Sequence, residues 1–163
     1  MGAKKFMEYY NQNSDKPIDL ETASKFRRDF FSVFPRLSYW HKEVGDKAVM
    51  ATEQNPYISK TLIGRRRIFT DKAYSAAINA PVQGTSADIT KYALLFLFFS
   101  LKNFNDAKIV NTVHDEIVVE CCEEEANVMS SALKSVMEWG GFFMKHVPVV
   151  VETTVANNWS EKS

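Results

Sequence analysis

The feature that most limits what this chain can fold into is a change of period just past its middle. From Tyr92 to Leu101 it reads Tyr-Ala-Leu-Leu-Phe-Leu-Phe-Phe-Ser-Leu. That is too short to span a bilayer, which takes about 18–20 apolar residues, so it reads as a buried helix. A few residues later β-branched side chains take over. Ala107 to Val113 and Ile117 to Glu120 are two such runs, separated by His114-Asp115-Glu116, and they predict an antiparallel hairpin. Glu123-Glu124-Glu125 then suits the positive end of a helix dipole. The helix behind it carries Ala126, Met129, Leu133, Val136 and Met137 to about Gly140. Val149, Val151, Thr153 and Val155 alternate as a further strand, with Pro148 tolerable at its start. Helices first, then strand, strand, helix and strand, specify an α+β unit with an antiparallel sheet.

The first half is helical and then irregular. Lys4 to about Asn13 predicts a short helix, broken by Asn13-Ser14-Asp15-Lys16-Pro17. Asp19 is placed to cap the next helix. Behind it Ala23, Phe26, Phe30, Val33 and Phe34 form one apolar stripe. Pro35 ends that helix or starts another bearing Leu37, Tyr39 and Trp40, aromatic positions of the kind that fill cores. Residues 45–72 predict irregular structure, running through Gly45, Asn55-Pro56 and Thr61-Leu62-Ile63-Gly64 into Arg65-Arg66-Arg67. Helix returns after Ala73, and Thr85-Ser86-Ala87-Asp88 fits a capping box.

Composition narrows the class. At 163 residues the chain is about one domain long, 45% hydrophobic and 25% charged, which excludes collagen-like, low-complexity and disordered classes. No apolar run is long enough to cross a membrane, and no signal core comes after the charged N-terminus. Cys121 and Cys122 are the two cysteines and are adjacent, so the expectation is a reducing compartment and no disulfide framework. The net charge of zero is the balance of +5 in residues 1–80 and −5 in residues 81–163. A basic half beside an acidic half suits a protein that holds a polyanion on one side and cations on the other.

The chemistry concentrates at the hairpin tip. A tight turn favours Asn-Gly or Asp-Gly, yet Val113-His114-Asp115-Glu116-Ile117 has no glycine. Two adjacent carboxylates between buried strands repel each other unless a cation joins them. A hard dication such as Mg2+ takes oxygen ligands of this kind. The plain alternative is a solvated acidic turn.

Val113-His114-Asp115-Glu116-Ile117-Val118-Val119-Glu120 resembles the catalytic carboxylate motif near the C-terminus of family A DNA polymerases. Further matches fall in the family's order. Thr61 to Arg67 looks like the segment leading from the fingers back to the palm. Ala77-Ile78-Asn79-Ala80-Pro81-Val82-Gln83-Gly84-Thr85-Ser86-Ala87-Asp88 is similar to the family's DNA-contacting helix, which already includes Asn79. Phe34-Pro35 with Trp40, and Asn158-Trp159, also fall in place, so the likeness covers essentially the whole chain.

The resemblance implies residues 1–76 as the remainder of a fingers subdomain and 77–163 as the C-terminal part of a palm with its antiparallel sheet. It implies Asp115 as ligand of the catalytic metals, with Glu116 a nearby, less critical carboxylate. It implies His114 at the primer end, and Asn79 and Gln83 facing the primer–template duplex. Asp88 reads as a structural polar residue. Arg65, Arg66 and Arg67 read either as a solvated turn or as phosphate contacts. Where the family often has a DNA-contacting arginine, four positions before the Asn, this chain has Ser75, with Lys72 and Tyr74 close by.

Met1-Gly2-Ala3-Lys4-Lys5 looks like the stretch just after the family's nucleotide-binding helix. The expectation is therefore that the other catalytic Asp and that helix come from a partner, an N-terminal polymerase fragment. Mg2+ in a two-metal site shared with that Asp, primer–template DNA and deoxynucleoside triphosphates complete the expected set. The compartment implied is the cytoplasm of a bacterium or a virus-infected host cell. Two other classes compete: a catalytically idle module, derived from a palm, that binds DNA or a partner, and an unrelated metal-dependent hydrolase. His41 and His146 lie in helical contexts and supply the second with no evident base.

Overall fold

The computed structural model describes residues 2–161. Met1, the first residue of the stretch matched to the region after the family's nucleotide-binding helix, lies outside the described residues. By internal contact the chain forms two compact units, Met1–Tyr57 with Phe69–Ile78, and Ile58–Ile68 with Asn79–Ser163.

The first unit holds helices α1 (Ala3–Gln12), α2 (Leu20–Val33) and α3 (Pro35–Val49). The loop after α1 is closed by Asn11, whose side chain donates to the Ile18 carbonyl at 3.0 Å and accepts from its amide at 2.8 Å. Asp19 caps α2 as expected, accepting from the Thr22 amide at 2.8 Å. Pro35 stands in the first turn of α3, where its missing amide costs nothing. The apolar stripe of α2 does not become core. Ala23 is fully buried, but Phe26, Phe30, Val33 and Phe34 are about half exposed or more, and so is Tyr39 on α3. Periodicity marks a face as apolar without supplying what covers it. The rings cover one another instead, Phe30 lying 5.1 Å from Phe34 and 5.4 Å from Phe31. His41 packs at 5.5 Å from Phe31, and desolvation there, with Arg27 nearby, lowers its pKa.

The expectation of irregular structure over 45–72 is corrected. Residues 45–49 finish α3, and β1 (Tyr57–Lys60) pairs with β2 (Arg66–Phe69). Five residues join the strands, too few for a parallel crossover, so the pair is antiparallel. Gly64 makes the turn with φ +88°, a conformation other residues resist.

Helix α4 runs unbroken from Tyr74 to Ser100 through Pro81. The capping box at Thr85 is therefore not a helix start. The Thr85 hydroxyl donates to the Pro81 carbonyl at 2.6 Å, within the helix. In the second unit the C-terminal half of α4 carries the core: Ala93 and fully buried Leu97 meet Ile117, flanked by Ile109, Val119, Leu133 and Val136. These come from β3 (Lys108–Val113), β4 (Glu116–Glu120) and α5 (Ala126–Trp139). The acidic triplet Glu123–Glu125 forms a 3₁₀ turn ahead of α5. The α+β class holds. The closing run Val149–Val155 is not a strand, because no ladder pairs with it among the described residues. It is fastened by side chains instead, Ser130 to Thr153 at 2.9 Å and the Val151 amide to Glu138 at 3.3 Å. No helix among the described residues is long and apolar enough to cross a membrane.

Two measurements probe this packing and capping. Leu97→Ala should destabilise the chain by about 2–5 kcal/mol in chemical denaturation, the cost of a cavity at a fully buried leucine. Asp19 accepts the Thr22 amide, which holds its pKa below the usual 3.8, so its contribution is present above that pH and fades as pH falls through the lowered value. Amide exchange at Thr22 should be faster in Asp19→Ala than in the parent at neutral pH, with the difference vanishing in strong acid.

Candidate active site and nucleic-acid interface

The hairpin tip is built by register. Ile109 pairs with Val119, Asn111 with Val118, Thr112 with Ile117 and Val113 with Glu116, with a bulge between Ile109 and Asn111. Only His114 and Asp115 are left to turn the chain, and both are exposed. Glu116 is the first residue of β4, half-buried, and its backbone carbonyl accepts from the Thr112 hydroxyl at 3.1 Å. Directly paired residues share a face. Ile117 and Thr112 thus lie on the side of the α4 core, and Glu116 and Val113 on the other.

His114 takes φ +55°. A side chain other than glycine at positive φ costs about 1–2 kcal/mol. Asp115 is exposed and Glu116 half-buried, so water screens their repulsion and no cation is required to offset it. Asp115 stands on the turn and Glu116 opens β4. Among the described residues no group of three His, Cys, Asp or Glu side chains could hold a metal ion. Two carboxylates alone are fewer donors than a hard dication takes, since such ions bind about six oxygens or more.

Asn79 and Gln83 stand one turn apart on α4 and both are exposed, so they share a solvent-facing stripe. The contact of α4 with the hairpin is made further along, by Ala93 and Leu97. Gln83 is ten residues from the nearer of these, about 15 Å along the helix axis. Gln83 does line a groove with Lys60, Arg65, Arg66, Arg67 and Gly84. The arginines are not equivalent, which the sequence does not reveal. Arg65 donates from Nε to Asp88 Oδ1 at 2.6 Å and from Nη2 to the Gly84 carbonyl at 2.8 Å. Asp88 is 2% exposed, and its structural role stands. The Leu62 amide donates to Thr85 Oγ1 at 3.2 Å. A Cβ on Gly84 would lie 2.6 Å from Thr61 Cγ2, so glycine is what lets the turn close on the helix. The missed signal was the spacing of Gly84 and Asp88, one helical turn apart. At the far end of β4, Cys121 and Cys122 are free thiols, and desolvation raises the pKa of Cys121, aided by Glu125.

The second unit thus presents an acid-bearing hairpin and a basic groove lined by one amide, Gln83. Comparison with known proteins then gives the family. The profile for DNA polymerase family A matches residues 6–161, and the chain belongs to that family. It is 37% identical to DNA polymerase I of Aquifex aeolicus over 99% of its length and 28% of that protein's. It is 32% identical to the thermostable DNA polymerase I of Thermus aquaticus, over 94% of this chain and 19% of that one. Among solved structures, the POL domain of Pol1 from M. smegmatis in complex with DNA primer-template and dNTP superposes with a TM-score of 0.65. That match has 25% identity and covers 85% of this chain and 27% of that one. The chain thus spans between 19% and 28% of the length of these relatives.

The strained turn yields a direct test. His114→Gly should raise stability by about 0.5–1 kcal/mol, the relief of positive φ outweighing the added freedom of glycine in the unfolded chain. Urea denaturation measures it, and a loss of stability would mean the imidazole itself holds the turn.

Proposed function

We propose that this chain supplies the C-terminal part of the catalytic centre of a family A DNA-directed DNA polymerase, in replication or repair. The observation that carries the reading is the acid pair of Asp115, on the two-residue turn, and Glu116, the first residue of β4, within a chain matched to the family over residues 6–161. Residues 1–76 are the remainder of the fingers and residues 77–163 the C-terminal part of the palm. The compartment is the cytoplasm of a bacterium or of a virus-infected host.

The reaction joins the primer 3′-oxygen to the α-phosphorus of a deoxynucleoside triphosphate and breaks the bond to the leaving pyrophosphate. Asp115 is the metal ligand, with Glu116 the secondary carboxylate. Asp115 and Glu116, with a further Asp, would hold Mg2+, which would supply charge neutralisation for the phosphoryl transfer. That Asp and the nucleotide-binding helix belong to sequence outside these 163 residues, on a partner polymerase fragment. His114, exposed next to Asp115, meets the primer end. Asn79 and Gln83 face the minor groove of the duplex, where amides can donate to base and sugar acceptors. Lys60 and Arg66 sit on the groove that Gln83 lines and meet phosphates, which fix register without reading sequence.

The test is primer extension by this chain combined with a polypeptide carrying the earlier family motifs. Asp115→Asn should lower the rate at least about 100-fold, the loss of several kcal/mol of charge stabilisation, with duplex binding retained. Glu116→Gln should cost less. Near-normal extension by Asp115→Asn would sink the assignment. A parent chain that binds duplex yet never supports extension would be an idle module.

A further inference from the structure

Four polar side chains are buried among the described residues, Ser59, Thr61, Thr85 and Asp88, and they fall on the two segments that Arg65 joins. Buried polar groups are costly to desolvate, and a buried ion pair rarely repays that cost in stability. A polar network fixes geometry where its groups have few alternative partners; here Asp88 Oδ1 is engaged by Arg65 while Asp88 Oδ2 has no hydrogen-bond partner among the described residues. Here the output of that geometry is specific. The guanidinium spans one turn of α4, from the Gly84 carbonyl to Asp88. The Leu62 amide adds a third tie at Thr85. The residue preceding Gly84 is Gln83, and the residues following Arg65 are Arg66 and Arg67, all on the rim of one groove.

We propose that Arg65 is a positioning residue: its clasp on Gly84 and Asp88 sets Gln83 against the Arg66–Arg67 strand, so that amide and cations meet a duplex together. Arg65 is 45% exposed at its side chain and has the look of a phosphate ligand, but two of its donors are already committed inward. Lysine cannot replace it, since one ammonium lacks the planar fork that reaches both acceptors. The proposal rests on the reading that this face binds primer–template DNA.

The experiment uses the 163-residue chain, a fluorescein-labelled primer–template duplex titrated across salt, and amide exchange without DNA. Arg65→Met and Arg65→Lys should behave alike, each weakening binding about threefold or more. Both should leave the slope of log affinity against log salt unchanged and add nothing in a Gln83→Ala background. Arg66→Ala should lower that slope by about 0.9, the signature of one lost phosphate contact. Exchange at Leu62 and at Gly84–Asp88 should quicken in both Arg65 variants. A slope lowered by about 0.9 in Arg65→Met with parent-like binding by Arg65→Lys would make Arg65 a phosphate ligand and overturn the proposal. Additive effects with Gln83→Ala would reduce it to a structural residue. If Arg65→Met is too unstable to purify, Arg65→Lys decides through binding and exchange. If the parent chain does not bind duplex, the DNA reading fails on its own, and unchanged exchange in Arg65→Lys would then overturn the clasp separately.

Discussion

A two-stranded hairpin in water is marginal, so the acid-bearing turn exists only because Ile117 is pressed onto Ala93 and Leu97 of α4. The contact is apolar and non-directional, yet it carries a directional result. Ile117 faces the helix, and pleating then sends its neighbour Glu116 to the other side of the sheet. Ile109 and Val119 extend the same face, and Leu133, Val136 and Met137 close it from α5. The chemistry of the tip is thus held by groups that take no part in it. Loss of Leu97 would loosen the turn without touching an acid.

How far the sequence foretold this differs from element to element. The Asp19 cap, Pro35 at a helix start, the hairpin and α5 were all legible, because each depends on interactions within a few residues. The pairing of β1 with β2 was hidden, since neither four-residue strand shows a period and the turn that joins them is fastened to a helix some twenty residues away. Thr85 misled as a cap because the same hydroxyl that caps a helix can also bond back within one. The α2 stripe and the Val149–Val155 alternation were real patterns whose partners lie on other chain segments or are absent from the described residues. A pattern states what a segment can bury, and only the fold states against what.

The site shows the same division. His114, Asp115 and Glu116 were found from the sequence because the turn lacks the glycine its geometry favours, and the structure returns that oddity as a positive φ. Asn79 and Gln83 were placed by resemblance, and the unbroken α4 puts both in solvent. The three consecutive arginines were indistinguishable as a string. Tertiary contact separates them, committing Arg65 to the helix and leaving Arg66 on the groove. The positive charge of the first half of the chain is therefore not all available to a polyanion.

The bulge in β3 has a consequence for the tip. Ile109 and Thr112, three residues apart, oppose Val119 and Ile117, which are two apart and share a face. The extra residue resets the alternation partway along the strand. A β3 shortened by Val110 would run Ile109, Asn111, Thr112 and Val113 in plain alternation opposite Val119, Val118, Ile117 and Glu116, so what the extra residue adds is a local bend and twist and not a change of face. The bend of the hairpin is thus set at its base, while the face from which Glu116 leaves the sheet is set by Ile117 beside it.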